Sequence, residues 1–295
     1  MRQELWAEIK KNKHCYLFIS PFFILFGIFL LFPFFYSFVI SLQSWDGVSL
    51  PKFVGLANYQ RLFRDELFWK SLYNTVYILV LNIPLQLGLA LLLAVALNSK
   101  VVRGRSVMQL VYFMPIIVSV VVVAIVFSLL YDSYTGLINY FIELLGAAPI
   151  PWISSEAWSK ISVVLLITWR WTGYNMVIML AGLQAIPDEL YEAGRIDGAT
   201  GWKSFWNITL PLLKPVLLFC LIMSIIGLFK IFTEPYILTG GGPNNSSQTM
   251  VTYIYNNAFR YSKLGYASAL AYVLFVVILG ASLVNLKIFG SNPAD

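Results

Sequence analysis

Six long apolar stretches, separated by short polar ones, dominate the chain at about 15 to 42, 72 to 97, 106 to 131, 159 to 183, 213 to 235 and 266 to 289. Each reaches the roughly 20 residues that a helix needs to cross a hydrocarbon core of about 30 Å. None alternates in polarity residue by residue, as the shorter strands of a membrane barrel do. The pattern therefore predicts an all-α membrane protein with six transmembrane helices. A polar N-terminal tail occupies residues 1 to 14, one transmembrane domain covers 15 to 289, and residues 290 to 295 form a C-terminal tail. Composition agrees, since 59% of the residues are hydrophobic and 12% charged, where soluble domains carry about a quarter charged residues.

A net charge of +6 suggests a nucleic-acid partner in a soluble protein. Here the basic residues flank apolar spans, where they set orientation in a bilayer, and no nucleic acid is expected. Arg2, Lys10, Lys11 and Lys13 precede the first span, and Lys100, Arg103 and Arg105 crowd the loop after the second. Both regions read as cytoplasmic. The loop from Asp132 to Trp158 holds Asp132, Glu143 and Glu156 without a Lys or Arg, and reads as external. An even number of spans then places both termini in the cytoplasm. The basic Lys52, Arg61, Arg64 and Lys70 of the first external loop run against this rule, although Asp46, Asp65 and Glu66 are interspersed among them. The first apolar run is about twice the length of a signal-peptide core and lacks a small-residue cleavage site, so it reads as a retained helix. Cys15 and Cys220 are too few for a disulfide framework and read as small apolar residues.

Between the spans, Tyr59, Leu62 and Phe63 share one face of a short amphipathic piece expected at the membrane interface. Leu137 to Leu145 reads as another short helix, ended by Gly146. Prolines 21, 33, 84, 115 and 215 fall in or at the ends of spans, where each removes a backbone donor and tends to kink the helix. Such kinks serve as hinges in transporters, and they are also common in any membrane helix.

The segment 185 to 212, between the fourth and fifth spans, is polar and capped. Pro187 opens a helix with Asp188 and Glu189 in its first turn, where they complement the helix dipole. Gly198 supplies a left-handed stop. A second short helix through Phe205 and Trp206 precedes Leu210-Pro211, expected to break the chain before the fifth span. Leu190, Ala193, Ile196 and Ala199 share a face. That face suits either insertion into a partner's groove or packing on the chain's own spans.

Glu192-Ala193-Gly194, three residues, Gly198, nine residues, then Ile208, one residue and Leu210-Pro211 resemble the coupling motif, or EAA motif, of permeases in binding-protein-dependent ABC importers. The chain departs from that pattern at Gly194, where the family usually has Ala. Thr239-Gly240-Gly241-Gly242-Pro243, Ala185-Ile186-Pro187-Asp188 and Met114-Pro115 are similar to its type I carbohydrate-uptake branch. Ser20-Pro21 and Trp45-Asp46-Gly47 are similar to the first of that branch's two permeases.

The resemblance implies a bacterial cytoplasmic (inner) membrane subunit that pairs as a heterodimer with a second homologous permease. An ABC ATPase dimer would dock on the coupling helix at Glu192, Ala193, Gly194, Gly198, Ile208, Leu210 and Pro211, and an extracytoplasmic solute-binding protein would deliver a sugar. The chain itself would be no enzyme, with no catalytic or metal residues and no cofactor; ATP and Mg would sit on the ATPase. Gly198-Ala-Thr-Gly201-Trp202-Lys203-Ser204 does not make a P-loop, because Trp202 stands where Gly must precede the Lys.

Charges inside spans are costly and usually face a cavity or a partner. Lys230 is expected to pair with Glu234 at helical spacing or to snorkel outward. Arg170 is flanked by Trp169 and Trp171, with Tyr174 a turn on, an aromatic set that suits either sugar stacking or an interfacial belt. The resemblance implies a sugar pathway midway through the membrane, carried over here to Ile116 to Ser119, Trp169, Arg170, Trp171, Tyr174, Ser224, Leu228 and Ile231. A neutral oligosaccharide is the expected cargo, with an acidic oligosaccharide or a phosphorylated polyol as the alternative. A secondary transporter would not need the coupling segment. An intramembrane enzyme lacks its groups, since His14 is the single histidine.

Overall fold

The computed structural model describes residues 11–99 and 102–289. Residues 1–10 of the expected N-terminal tail, Lys100 of the second loop and the expected tail at 290 to 295 lie outside the described residues. In chain order the helices are α1 (Lys13–Phe26), α2 (Phe32–Ser41), α3 (Ala57–Phe63), α4 (Glu66–Asn98), α5 (Arg105–Ile117), α6 (Val120–Leu130) and α7 (Leu137–Leu144). They continue as α8 (Glu156–Gln184), α9 (Asp188–Ile196), α10 (Gly201–Ser204), α11 (Leu210–Phe229), α12 (Thr233–Leu238), α13 (Met250–Tyr255) and α14 (Leu264–Phe289). A two-residue hairpin, β1 (Gln43–Ser44) and β2 (Lys52–Phe53), interrupts the helices with Gln43 opposite Phe53.

Five stretches are long and apolar enough to cross a membrane unbroken: Lys13–Ser41, Glu66–Asn98, Glu156–Gln184, Gly201–Phe229 and Leu264–Lys287. The third expected span is instead the pair α5 and α6, bent by 95° at a short break, and it brings the count to six when taken as one crossing. Pro115 lies inside α5, two residues before its end, and Val118 and Ser119 are extended at the break.

Two expected breaks are absorbed instead. Leu210-Pro211 does not interrupt the chain, because helix runs from Gly201 to Phe229. A wide π-helical turn at Phe205–Thr209 comes just before Pro211. A matching turn at Gly27–Leu31 comes just before Pro33, inside the first span. A proline ring collides with the carbonyl four residues back, and a locally wider turn is one way of clearing it.

By Cα proximity the chain divides into two compact units, Met1–Arg64 with Asn256–Tyr272 and Asp65–Tyr255 with Val273–Asp295. In the first unit, α1 and the π turn after it bury none of their residues. The Asp46 carboxylate accepts bonds from the Val48 and Ser49 amides and the Ser49 hydroxyl at 2.8–3.0 Å, which holds its pKa down at about 2. Gly265 crosses the hairpin so closely that a Cβ there would lie 1.9 Å from the Gln43 carbonyl oxygen. The amphipathic piece expected at the interface is α3, and it turns inward instead. Leu62 is fully buried, and the Tyr59 hydroxyl meets Ser41 Oγ at 2.7 Å, so only Phe63 of the three is exposed.

In the second unit α4 and α8 pack along each other, and two apolar cores form around them. One gathers Ile78, Val163, Leu166 and Ile167, and the other Ala90, Ala94, Met176 and Met179. The expected short helix is α7, ended by Gly146 at φ +77°. Its Asn139 is buried and ties the loop together, donating to the Ile150 carbonyl and accepting from the Ile150 amide and Trp152 Nε1, all at 3.0 Å.

Candidate functional site

The segment expected to couple begins at α9, with Pro187 in an extended cap position and Asp188 and Glu189 in the first turn. Gly198 adopts φ +77°, the conformation that suits glycine at a helix stop. Its amide bonds to the Arg195 carbonyl at 3.1 Å and that of Ala199 to Gly194 at 2.8 Å. These two bonds make a Schellman motif, which satisfies the last helical carbonyls.

Gly194 also gains a reason beyond helix flexibility. A Cβ there would meet the tip of Ile208 at 2.7 Å, so the glycine lets the returning chain lie against α9. The Tyr191 hydroxyl meets Thr209 Oγ1 at 3.0 Å across the same junction. Tyr191 and Thr209 went unnoticed in the sequence because neither belongs to the motif spacing. Gly194 and Ile208 thus face inward, Leu210 is half-buried, and Glu192, Ala193 and Pro211 are exposed. Leu190, Ile196 and Trp202 expose 42%, 87% and 72% of their surface. A polar segment showing this much apolar side chain has the make-up of a docking surface.

The second feature is a cavity of about 500 Å³ between α8, α11 and α12. Of the expected pathway residues, Arg170, Trp171, Tyr174, Ser224, Leu228 and Ile231 line it. Trp169 turns away, 5.3 Å from the Phe127 ring, and is half exposed. Ile116 and Ser119 flank the break in the third span and do not line the cavity. Gln86, Asn175 and Thr233 also line it and were not singled out from the sequence, and Glu234, expected only as a partner for Lys230, lines it too. For Gln86 a signal existed: Asn74, Asn82 and Gln86 are buried polar residues on one side of the apolar span α4.

Arg170 is the cavity's most constrained side chain. Its Nη1 lies 3.7 Å from a Glu234 oxygen, and both side chains are nearly buried. Its Nη2 donates to the carbonyls of Ile116 and Val118, each at 3.4 Å, at the bend between α5 and α6. The expected Lys230–Glu234 pair does not form. α11 ends at Phe229 and α12 starts afresh at Thr233, so helical spacing no longer relates the two residues. Lys230 is exposed on the cavity lining instead.

The loop after α12 is clamped to the rest of its unit. Lys70 donates to the Asn244 carbonyl at 2.6 Å, Asn74 to that of Asn245 at 2.8 Å, and Asn244 to Glu156 at 2.6 Å. Thr249 Oγ1 donates to the Ile231 carbonyl at 3.0 Å, just before α12. Among the described residues, no three of His, Cys, Asp or Glu converge as metal ligands.

The model of the family described as "Binding-protein-dependent transport system inner membrane component" matches residues 86–287. An arabinooligosaccharides transport system permease of Bacillus subtilis is 39% identical over 100% of this chain and 95% of its own. A lactose transport system permease of Rhizobium radiobacter is 39% identical over 89% of each chain. A trehalose/maltose transport system permease of Thermococcus litoralis is 35% identical over 98% of each. A chain of a bacterial alginate ABC transporter, solved in complex with its alginate-loaded periplasmic protein, has the same fold. Its TM-score is 0.84 at 24% identity, over 96% of both chains.

Proposed function

Because the chain belongs to the family of binding-protein-dependent transport system inner membrane components, a multi-pass membrane permease of the ABC importer class, we propose that it carries a sugar or oligosaccharide into the cytoplasm by alternating access. The full-length likeness to sugar permeases from three different sugar systems supports this cargo class. In this reading a second homologous permease completes the pathway, and a solute-binding protein delivers the cargo from outside. A separate ATPase dimer holds ATP and Mg. Both termini lie in the cytoplasm.

The observation that carries the reading is the coupling segment. It is a short helix with a fixed stop at Gly198 and a locked return at Tyr191–Thr209, and its exposed apolar side chains await a partner. Nucleotide can shift the permease between inward- and outward-facing states only by favouring one of them. The ATPase therefore has to grip this segment differently in the two. Glu192 is exposed where it would make or orient that contact, and Gly198 sets the turn behind it.

The test is to purify the tagged chain from its native membrane and reconstitute the complex in vesicles. An ATPase and a second permease should copurify, and uptake of labelled sugars should require ATP and the binding protein. Glu192→Arg should abolish ATPase capture. Uptake driven by an ion gradient without ATP would refute the reading in favour of a secondary transporter. Exposed Lys230 on the cavity favours the second cargo reading, an acidic oligosaccharide or phosphorylated polyol, and a sugar panel that includes uronates separates the two.

A further inference from the structure

Three separate segments meet at the Arg170 guanidinium. α8 carries it, the bend between α5 and α6 offers the Ile116 and Val118 carbonyls, and α12 offers Glu234. A carboxylate is read best by two parallel N–H bonds from one guanidinium. Here Nη2 is committed to the two carbonyls and Nη1 faces Glu234, while Nε is buried without a partner among the described residues. A lone buried N–H offers a cargo one bond, to a hydroxyl or a water, and no fork for an acid.

Displacing Glu234 to free the fork would strand a carboxylate that is 7% exposed. An unpaired charge in such a place is strongly unfavourable. Nor is Glu234 free to swing away. The chain before it is held by the Thr249 bond to the Ile231 carbonyl, and the loop after it by Thr239 Oγ1 against Ser247 Oγ at 2.7 Å.

Resting on the reading of this cavity as the cargo pathway, we propose that Arg170 is a positioning residue: paired with Glu234, it fastens the bend of the third span to the cavity wall and does not read the charge of the cargo. The bend is where such a fastening is needed. α5 ends with its last carbonyls turned to the break, and helix ends leave such groups without intrahelical donors. Arg170 supplies donors from the neighbouring span, and Glu234 neutralises the charge that comes with them.

The test compares wild type with Arg170→Gln, Glu234→Gln and the double Arg170→Gln/Glu234→Gln in the reconstituted complex. The probes are labelled neutral oligosaccharides and their uronate counterparts, with the thermal midpoint of the solubilised complex as a second readout. Each single variant should cut uptake at least about tenfold for neutral and acidic probes alike, because each strands one buried charge. The double variant should recover part of the loss seen in each single variant, in uptake and in thermal midpoint, the non-additivity expected of a contacting pair, and should stay below wild type because the Ile116 and Val118 carbonyls have lost their donor. The ratio of acidic to neutral uptake should stay at the wild-type value throughout.

A double variant no better than Arg170→Gln, in assembly or in uptake, overturns the proposal, and so does a selective loss of acidic probes in Arg170→Gln. Two single variants with wild-type uptake overturn it as well. A wild-type complex that moves no saccharide sinks the cargo reading instead, and the thermal comparison still judges the pair.

Discussion

Gly173 is the position where a single methyl group should do most damage. A Cβ there would sit 1.7 Å from the Tyr112 carbonyl oxygen and 2.4 Å from its carbon. Both are backbone atoms of α5, so no rotamer change relieves the clash. Ordinary contact begins near 3.4 Å, so α5 has to retreat by about 1.7 Å. Ile116 is one turn beyond Tyr112 on α5, and Arg170 is one turn before Gly173 on α8. The retreat therefore also opens the Arg170 bonds to Ile116 and Val118, already at 3.4 Å. Overpacking of this kind costs about 1–3 kcal/mol, and losing bonds to a charged donor about 1.5–3 kcal/mol more. Against this, Ala is the better helix former by about 1 kcal/mol, so without the contact the substitution would stabilise. The sign of the change thus decides the matter. Gly173→Ala should lower the thermal midpoint of the solubilised complex by several degrees and reduce uptake at least about tenfold. Gly182→Ala is the control, since its Cβ would meet side-chain atoms alone, of Val216 and Leu213 at 2.8–3.3 Å, and no backbone atom. A Gly173→Ala complex as stable and active as the Gly182→Ala one would mean that α5 does not need this close approach.

Gly198→Ala forces a Cβ into the left-handed region at φ +77° and should cost about 1–2 kcal/mol, read as a weaker hold on the ATPase in pull-down titrations of the purified complex. Asn139→Leu leaves Trp152 Nε1 and the Ile150 amide without their acceptor and should cost about 2 kcal/mol or more, measured as a lower thermal midpoint; an unchanged midpoint contradicts the buried hub. Asp46 has a folded pKa of about 2, below its ordinary value of 3.8. The stability it lends the hairpin turn is present above that ordinary value and lost as pH falls through about 2. Carbon-13 titration of the Asp46 carboxyl should find the depressed value and, in Ser49→Ala, a rise.

The number of spans is legible because it depends on run length, which a bilayer reads the same way in any context. The Gly198 stop is legible for a similar reason, since one left-handed residue closes a helix locally. The break in the third span is not. Prolines 84, 115 and 215 all sit inside apolar helices, and only the one followed by an extended Val118-Ser119 becomes a 95° bend. What distinguishes it is tertiary: Gly173 lets α5 come close, and Arg170 supplies donors at its end. The Arg170–Glu234 pair is hidden for the same reason, because Lys230 stands at the nearer sequence spacing and nothing local marks the loss of helix at residues 230 to 232. Leu210-Pro211 misled in the opposite direction, since a π turn absorbs a proline that reads as a break.

The two candidate sites share their helices, which gives a physical route between them. α8 carries Arg170, Trp171 and Tyr174 on the cavity and ends at Gln184, three residues before the Pro187 cap of α9. α11 carries Ser224 and Leu228 on the same cavity, and its helix reaches back to Gly201, three residues after Gly198. Each arm is continuous helix as far as Gln184 and Gly201, with a rise of about 1.5 Å per residue, so from Arg170 to Gln184 the path is about 20 Å. Near its Gln184 end the two helices lie close, with Gly182 against Leu213 and Val216. Below that contact the Tyr191–Thr209 bond and the Gly194–Ile208 packing close the loop. A force on α9 therefore meets a tied base and reaches the cavity through two stiff arms. The bend between α5 and α6 is tied to the α8 arm through Arg170, so it follows that arm, and a shift of α11 relative to α8 is the motion that would change the shape of the cavity.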